Sequence, residues 1–136
     1  MKKILIALLA GFLLFGCSDK KAEEKALLDD VLKVHDHVMG NDEQLMKNKM
    51  QLDTLAAHSS DTVIKNSAVI YIKLLNNADG AMDNWMHSFD PDYKGKSHDD
   101  VMSYLSNQKK QVLTIDTMLN SAVKKSSDFL SSIKSK

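Results

Sequence analysis

Apolar residues recur along this chain at alternating spacings of four and three. In the last third the stripe is Val101, Leu105, Gln108, Val112, Ile115, Leu119, Ala122, Ser126, Phe129 and Ile133. In the middle it is Ile64, Ala68, Tyr71, Leu75, Ala78, Met82, Trp85 and Phe89. The first third keeps the phase with Leu27, Val31, Val34, Val38, Leu45, Leu52 and Leu55, and Asn41 and Asn48 occupy the polar gaps. A period of about 3.5 residues held over several heptads marks helices packed side by side with coiled-coil geometry.

The breaks in this pattern delimit three predicted helices, 22–56, 61–89 and 98–134. His58-Ser59-Ser60-Asp61 reads as a turn, with Asp61 as the N-cap of the second helix. Pro91 biases Asp90 away from the α region and so stops that helix. Ser97-His98-Asp99-Asp100 supplies a cap and an acidic first turn for the third. Residues Asp90 to Lys96 form the longest irregular stretch. Gly40-Asn41-Asp42 is the weak point of the first helix. The stripe stays in phase across it, so a kink is expected there and not a stop. Short connections make neighbours antiparallel. The expected fold is all-α, an antiparallel up-down-up three-helix bundle with coiled-coil-like heptads.

Composition narrows the function classes. The chain has 136 residues, one cysteine and one proline, and its 18 acidic residues balance 18 lysines, with no arginine. This length suits one modest domain. The neutral balance excludes a clustered basic grip on nucleic acid. A single cysteine excludes an internal disulfide framework and a thiolate zinc cage. Only Gly40, Gly80 and Gly95 follow the N-terminal segment, too little punctuation for a many-stranded β fold.

That N-terminal segment reads as an address. Lys2 and Lys3 precede an apolar run from Ile4 to Phe15, and the composition turns polar immediately after Gly16-Cys17. This is the layout of a secretory signal, and the run is shorter than the ~20 apolar residues a membrane span needs. Leu14, Gly16 and Cys17 resemble the bacterial lipobox, in which the cysteine is lipidated and becomes the new N-terminus; Phe15 departs from the small or β-branched residue commoner at its place. The resemblance implies a signal peptide at 1–16, lipidated Cys17 with a polar tether to residue 24, and a bundle domain over 25–136. Ser18 after the cysteine resembles the sorting signal for the outer membrane of Gram-negative bacteria. A lipid-anchored place in the cell envelope is therefore expected.

Candidate chemistry rests on methionine. Met39, Met46, Met50, Met82, Met86, Met102 and Met118 all fall in predicted helices. Met46/Met50, Met82/Met86 and His35/Met39 are four residues apart and share a helix face. Hairpins turning near residues 58 and 93 would put His35 opposite Met82, Val31 opposite Met86, and Trp85 level with Met102. His35, Met39, Met82, Met86 and Met102, supported by Trp85 and His87, would then form one layer. Thioethers with an imidazole are a soft ligand set suited to Cu(I). The same methionines also read as flexible core filler, and His35 with Met82 or Met86 as a non-covalent haem pair. His35 and His37 point about 200° apart on a helix and do not chelate there. Asp79, Asp83 and His87 form a row that reads as a solvated face or as a harder metal site. His58 and His98 fall in turn regions.

Hydrolase, zincin and di-iron motifs and phosphate loops do not occur in the sequence, so no enzymatic activity is expected. The last 36 residues carry six lysines against Asp116 and Asp128, a solvated helix end or a docking surface for an acidic partner.

His35-Asp36-x-Val38-Met39, Ala81-Met82-x-x-Trp85-Met86-His87-x-Phe89 and Tyr104-Leu105-x-x-Gln108-Lys109 resemble a group of small helical Bacteroidota lipoproteins labelled viral A-type inclusion protein-like. That label implies no activity. The resemblance implies that His35, Met39, Met82, Trp85, Met86 and His87 belong together. The reading is a membrane-anchored, non-enzymatic interaction or structural module with an envelope protein as partner. Its alternative is a periplasmic Cu(I)-binding or buffering protein.

Overall fold

The computed structural model describes residues 15–135, with side chains from residue 19 onward. The apolar run expected to be the signal, up to residue 14, and the Cys17 side chain lie outside the described residues. The described chain is all-α: α1 spans Phe15–Met39, α2 Asp42–His58, α3 Thr62–Ser88 and α4 His98–Lys134. None of the described helices is long and apolar enough to cross a membrane.

Capping explains where the helices start. Asp61 Oδ1 accepts hydrogen bonds from the backbone N–H groups of Val63 at 2.8 Å and Ile64 at 3.2 Å, opening α3. Ser97 Oγ accepts from Asp100 N at 3.2 Å and donates to the Asp100 carboxylate at 2.7 Å, so the cap of α4 is reciprocal. Phe89, in extended conformation, closes α3 by donating its N–H to Trp85 O at 2.9 Å. Gly95 stands in the left-handed region at φ 82°, where the turn closed by Lys96 N on Tyr93 O needs a residue without a Cβ.

The expected kink in the first helix is a stop and restart. Asn41 N–H bonds to Val38 O at 3.0 Å, one residue short of the helical partner, and α2 begins at Asp42. A Cβ at Gly40 would stand 3.3 Å from His37 O, so glycine permits the tightened turn. Asn41 then donates its side-chain amide to Asn120 at 3.1 Å, which ties the break to α4. The stripe nevertheless keeps its phase, with Val38, Leu45 and Leu52 all buried. The expected tether at 17–24 is also helical. Lys25 and Asp29 pair along its continuation, and Glu23 and Glu24 both meet His98, which holds this turn on α4.

Side-chain pairs set the helix directions. Asp30–Lys109, His37–Asp116, Asn41–Asn120 and Asn48–Ser127 all join residues 79 apart, so α1 and α2 run in step with α4. His35 approaches Trp85 and Lys49 approaches Asp79, a falling partner number, so α3 runs the other way. The half-buried Lys109 ammonium, 2.7 Å from the exposed Asp30, holds that carboxyl below its ordinary range.

The core follows the stripes closely until their last turn. There Leu130 is buried and Phe129, expected inside, is half-buried against the Tyr71 ring at 4.8 Å. An ideal helix drifts about 20° per heptad against a strict seven-residue repeat, and four heptads of drift hand the inner place to the next residue. Among the described residues every buried one lies between Val31 and Leu130, so a chain starting at Cys17 keeps that core.

Two polar positions interrupt it, Gln108 on α4 and a hydrogen-bonded layer around Asn48 on α2. Asn48, 1 % exposed, shares its two amide N–H groups among Ser126 Oγ at 2.7 Å, Ser127 Oγ at 2.9 Å and Val123 O at 3.2 Å, and accepts from Gln44 at 2.8 Å. A buried amide satisfied only in one alignment pins the register of two helices.

Candidate functional site

The break between α1 and α2 builds a small cleft. Met39 ends α1, Asp42 begins α2, and both face Asp79, Met82, Asp83 and Met86, which share one side of α3. These six residues line a cleft of about 180 Å³ floored by Val38 and Leu119. Met82 is 3 % exposed and forms the inner wall; Met39 is 40 % exposed at the mouth, with Met86 intermediate. Lys49 Nζ, 4.0 Å from Asp79, is the one cation paired with this group of carboxylates among the described residues. The cleft thus sets thioethers, the ligand type that suits soft cations, beside three carboxylates.

Three of the five expected ligands, Met39, Met82 and Met86, come together here. His35 and Met102 do not line the cleft. His35 Nδ1 bonds to Asp36 at 2.9 Å, and its ring lies 6.0 Å from that of Trp85. It meets Trp85 where Met82 was expected, a shift of just under one turn. Met102 is displaced further. Tyr71 meets Phe129 and Met82 shares its cleft with Leu119, which puts Trp85 level with Ile115 and not with Met102, so the α3–α4 register is about three and a half turns off the expected one. The reason is the linker. Residues 89–97 are not a tight turn, and an extended residue advances about 3.3 Å against 1.5 Å in a helix. Met102 therefore lies beyond the end of α3.

Supporting residues have local roles. Trp85 stacks on Phe89 at 4.9 Å, extending a row that begins at His35 and ends at Tyr104. His87 donates from Nδ1 to Asp83 O at 2.7 Å within its own helix. His37 bonds to Asp116 at 3.0 Å, separate from His35. Among the described residues no three His, Cys, Asp or Glu side chains are placed to hold a metal, so the Asp79, Asp83, His87 row does not form a hard-ligand site. Trp85 Nε1 and Gln108 Oε1, a buried donor and a buried acceptor, both stand without hydrogen-bond partners among the described residues.

Sequence reasoning missed Asp42 as a neighbour of the methionines. Its signal was present: it stands three residues after Met39, across the glycine. Compared with protein-family models, with curated proteins and with solved structures, the chain finds no match in any of the three.

Proposed function

We propose that this chain is a lipid-anchored helical protein of the bacterial cell envelope that acts by binding and not by catalysis. The observation that carries this is the lone cysteine, Cys17, standing directly after a charged start and a short apolar run. α1 continues from Cys17 into the bundle, so an acyl group there would stand the bundle on the membrane. A row of exposed apolar side chains on α3, Val63, Ile70 and Leu74, with Met118 beside it on α4, supports a binding role. Growth with a labelled fatty acid tests the anchor. The mature protein carries the label, and Cys17→Ser removes it entirely. A mature chain that is unlabelled and starts elsewhere overturns the reading.

The methionine cleft favours a second reading, Cu(I) binding. Met39, Met82 and Met86 are its thioether donors, and Asp42, Asp79 and Asp83 draw the cation in. Anaerobic titration of the chain from Ser18 onward, which lacks the Cys17 thiol, against a competing Cu(I) chelator is the test. One equivalent is taken up more tightly than micromolar. Met82→Leu and Met86→Leu abolish the uptake yet cost less than about 1.5 kcal/mol of stability, because Leu and Met are near-equal in volume. His35→Ala and Met102→Leu leave uptake unchanged. No uptake by the parent chain assigns the methionines to packing.

A further inference from the structure

A wider cleft of about 580 Å³ opens at the end of the bundle from which α1 leaves Cys17. It exists because α1 and α4 overrun the C-terminal end of α3. The extended linker takes the third side in place of a helix. Lys20 and Lys21 line it from α1, Tyr93, Lys94 and Lys96 from the linker, and His98 from α4. His98 holds the back wall shut, with Nδ1 2.9 Å from Glu24 and Nε2 3.4 Å from Glu23.

The charges in this cleft favour an anion. Four lysines line it against two carboxylates, Glu24 and Asp92. Both carboxylates are engaged: Glu24 by His98, and Asp92 by the backbone N–H of Lys94 at 3.2 Å and its ammonium at 3.5 Å. Of the acids around it, Asp90 accepts from the N–H of Asp92 and Asp100 from Ser97, while Asp19 and Asp99 are exposed and stand outside the lining. Lys20 and Lys21 make no ion pair among the described residues, and the Lys96 ammonium lies 5.1 Å over the Tyr104 ring.

We infer that this cleft takes the phosphate of an anionic phospholipid headgroup, in the same membrane that holds the acyl group of Cys17. The inference rests on the reading of Cys17 as the anchor. Lys20 and Lys21 follow Cys17 by three and four residues, about 5 Å along the helix axis, which sets them at headgroup depth. Lysine stems and a tyrosine ring suit that depth, since each pairs an apolar body with a polar end. One attachment fixes position, and a second contact one turn away fixes tilt. The bundle would stand at a set angle to the membrane.

Vesicle co-sedimentation tests this with the unlipidated chain from Cys17 onward, which keeps every core residue. It binds phosphatidylcholine vesicles containing phosphatidylglycerol, and not phosphatidylcholine alone, and salt weakens the binding. Each of Lys20→Gln, Lys21→Gln, Lys94→Gln and Lys96→Gln lowers the partition constant about fivefold, the worth of one lysine at an anionic surface. Lys124→Gln and Lys125→Gln, far along α4, leave it unchanged. Equal binding to both vesicles, or equal losses from the distant lysines, overturns the inference. Displacement by inorganic phosphate at constant ionic strength also overturns it, making free phosphate the ligand. No acyl group is present in this assay, so its failure is separate from that of the labelling experiment.

Discussion

Leu75→Ala lowers the unfolding free energy by about 3 kcal/mol and the melting temperature by roughly 10–15 °C. Leu75 sits mid-way along α3 with no exposed surface, inside the single hydrophobic cluster shared by all four helices. Truncation removes the transfer energy of the side chain and leaves a cavity that rigid neighbouring helices cannot fill. A domain of this size has only about 5–15 kcal/mol in total, so the loss is a large fraction. Chemical denaturation followed by circular dichroism measures it. Leu74→Ala is the control: Leu74, the adjacent residue, is 36 % exposed and faces a surface groove, so its loss stays near 1 kcal/mol or below. Equal effects at the two positions would show that the core is not where the heptads place it.

Asn48→Asp has a comparable effect with a different signature. The substitution puts an acceptor where the amide now donates to Ser126, Ser127 and Val123 O. The serine hydroxyls can turn, but the Val123 carbonyl cannot, and a buried carboxylate with no cation costs about 3 kcal/mol or more. Burial raises the folded-state pKa of the new carboxyl above its unfolded value of about 3.9. The penalty is therefore fully present above the folded pKa. It fades as pH falls toward the unfolded pKa, because the neutral acid can donate as the amide did. The measurement is the difference in stability between variant and parent across this range. A constant difference would mean that the site is open to water. Asn48→Leu is close to neutral in stability, since the exposed Gln44 finds water and Ser126 keeps its bond to Val123 O.

The two substitutions divide the molecule between what repeats and what does not. The Leu75 stripe was legible because burial on a helix imposes its period on the chain, and a period survives without knowing the partner. The caps at Asp61 and Ser97 were legible for a similar reason, since the bonds they make reach only two or three residues ahead. Asn48 showed itself as a gap in the stripe, but the two serines and the carbonyl that satisfy it lie 75 to 79 residues away. Phe129 and Leu130 exchanged places because a small phase error accumulates silently along a helix of 37 residues.

The candidate sites divide in the same way. Met82 and Met86 could be placed on one face from spacing, and Met39 beside them within a turn. Excluding His35 and Met102, and including Asp42, required the actual path of the chain at Gly40 and through the linker. Neither the tightened turn at Asn41 nor the extended run from Phe89 to Ser97 follows a period. The headgroup cleft lay furthest from reach, because Lys20 and Lys21 meet Lys94 and Lys96 only where two helices outrun the third. The all-α class, the heptad stripes and the start and stop of α3 and α4 follow from interactions local in the chain. The register between helices, the clustering of three methionines with three aspartates and the basic cleft beside Cys17 do not. They depend on how far each connection travels before the next helix begins, which only packing against the rest of the bundle sets.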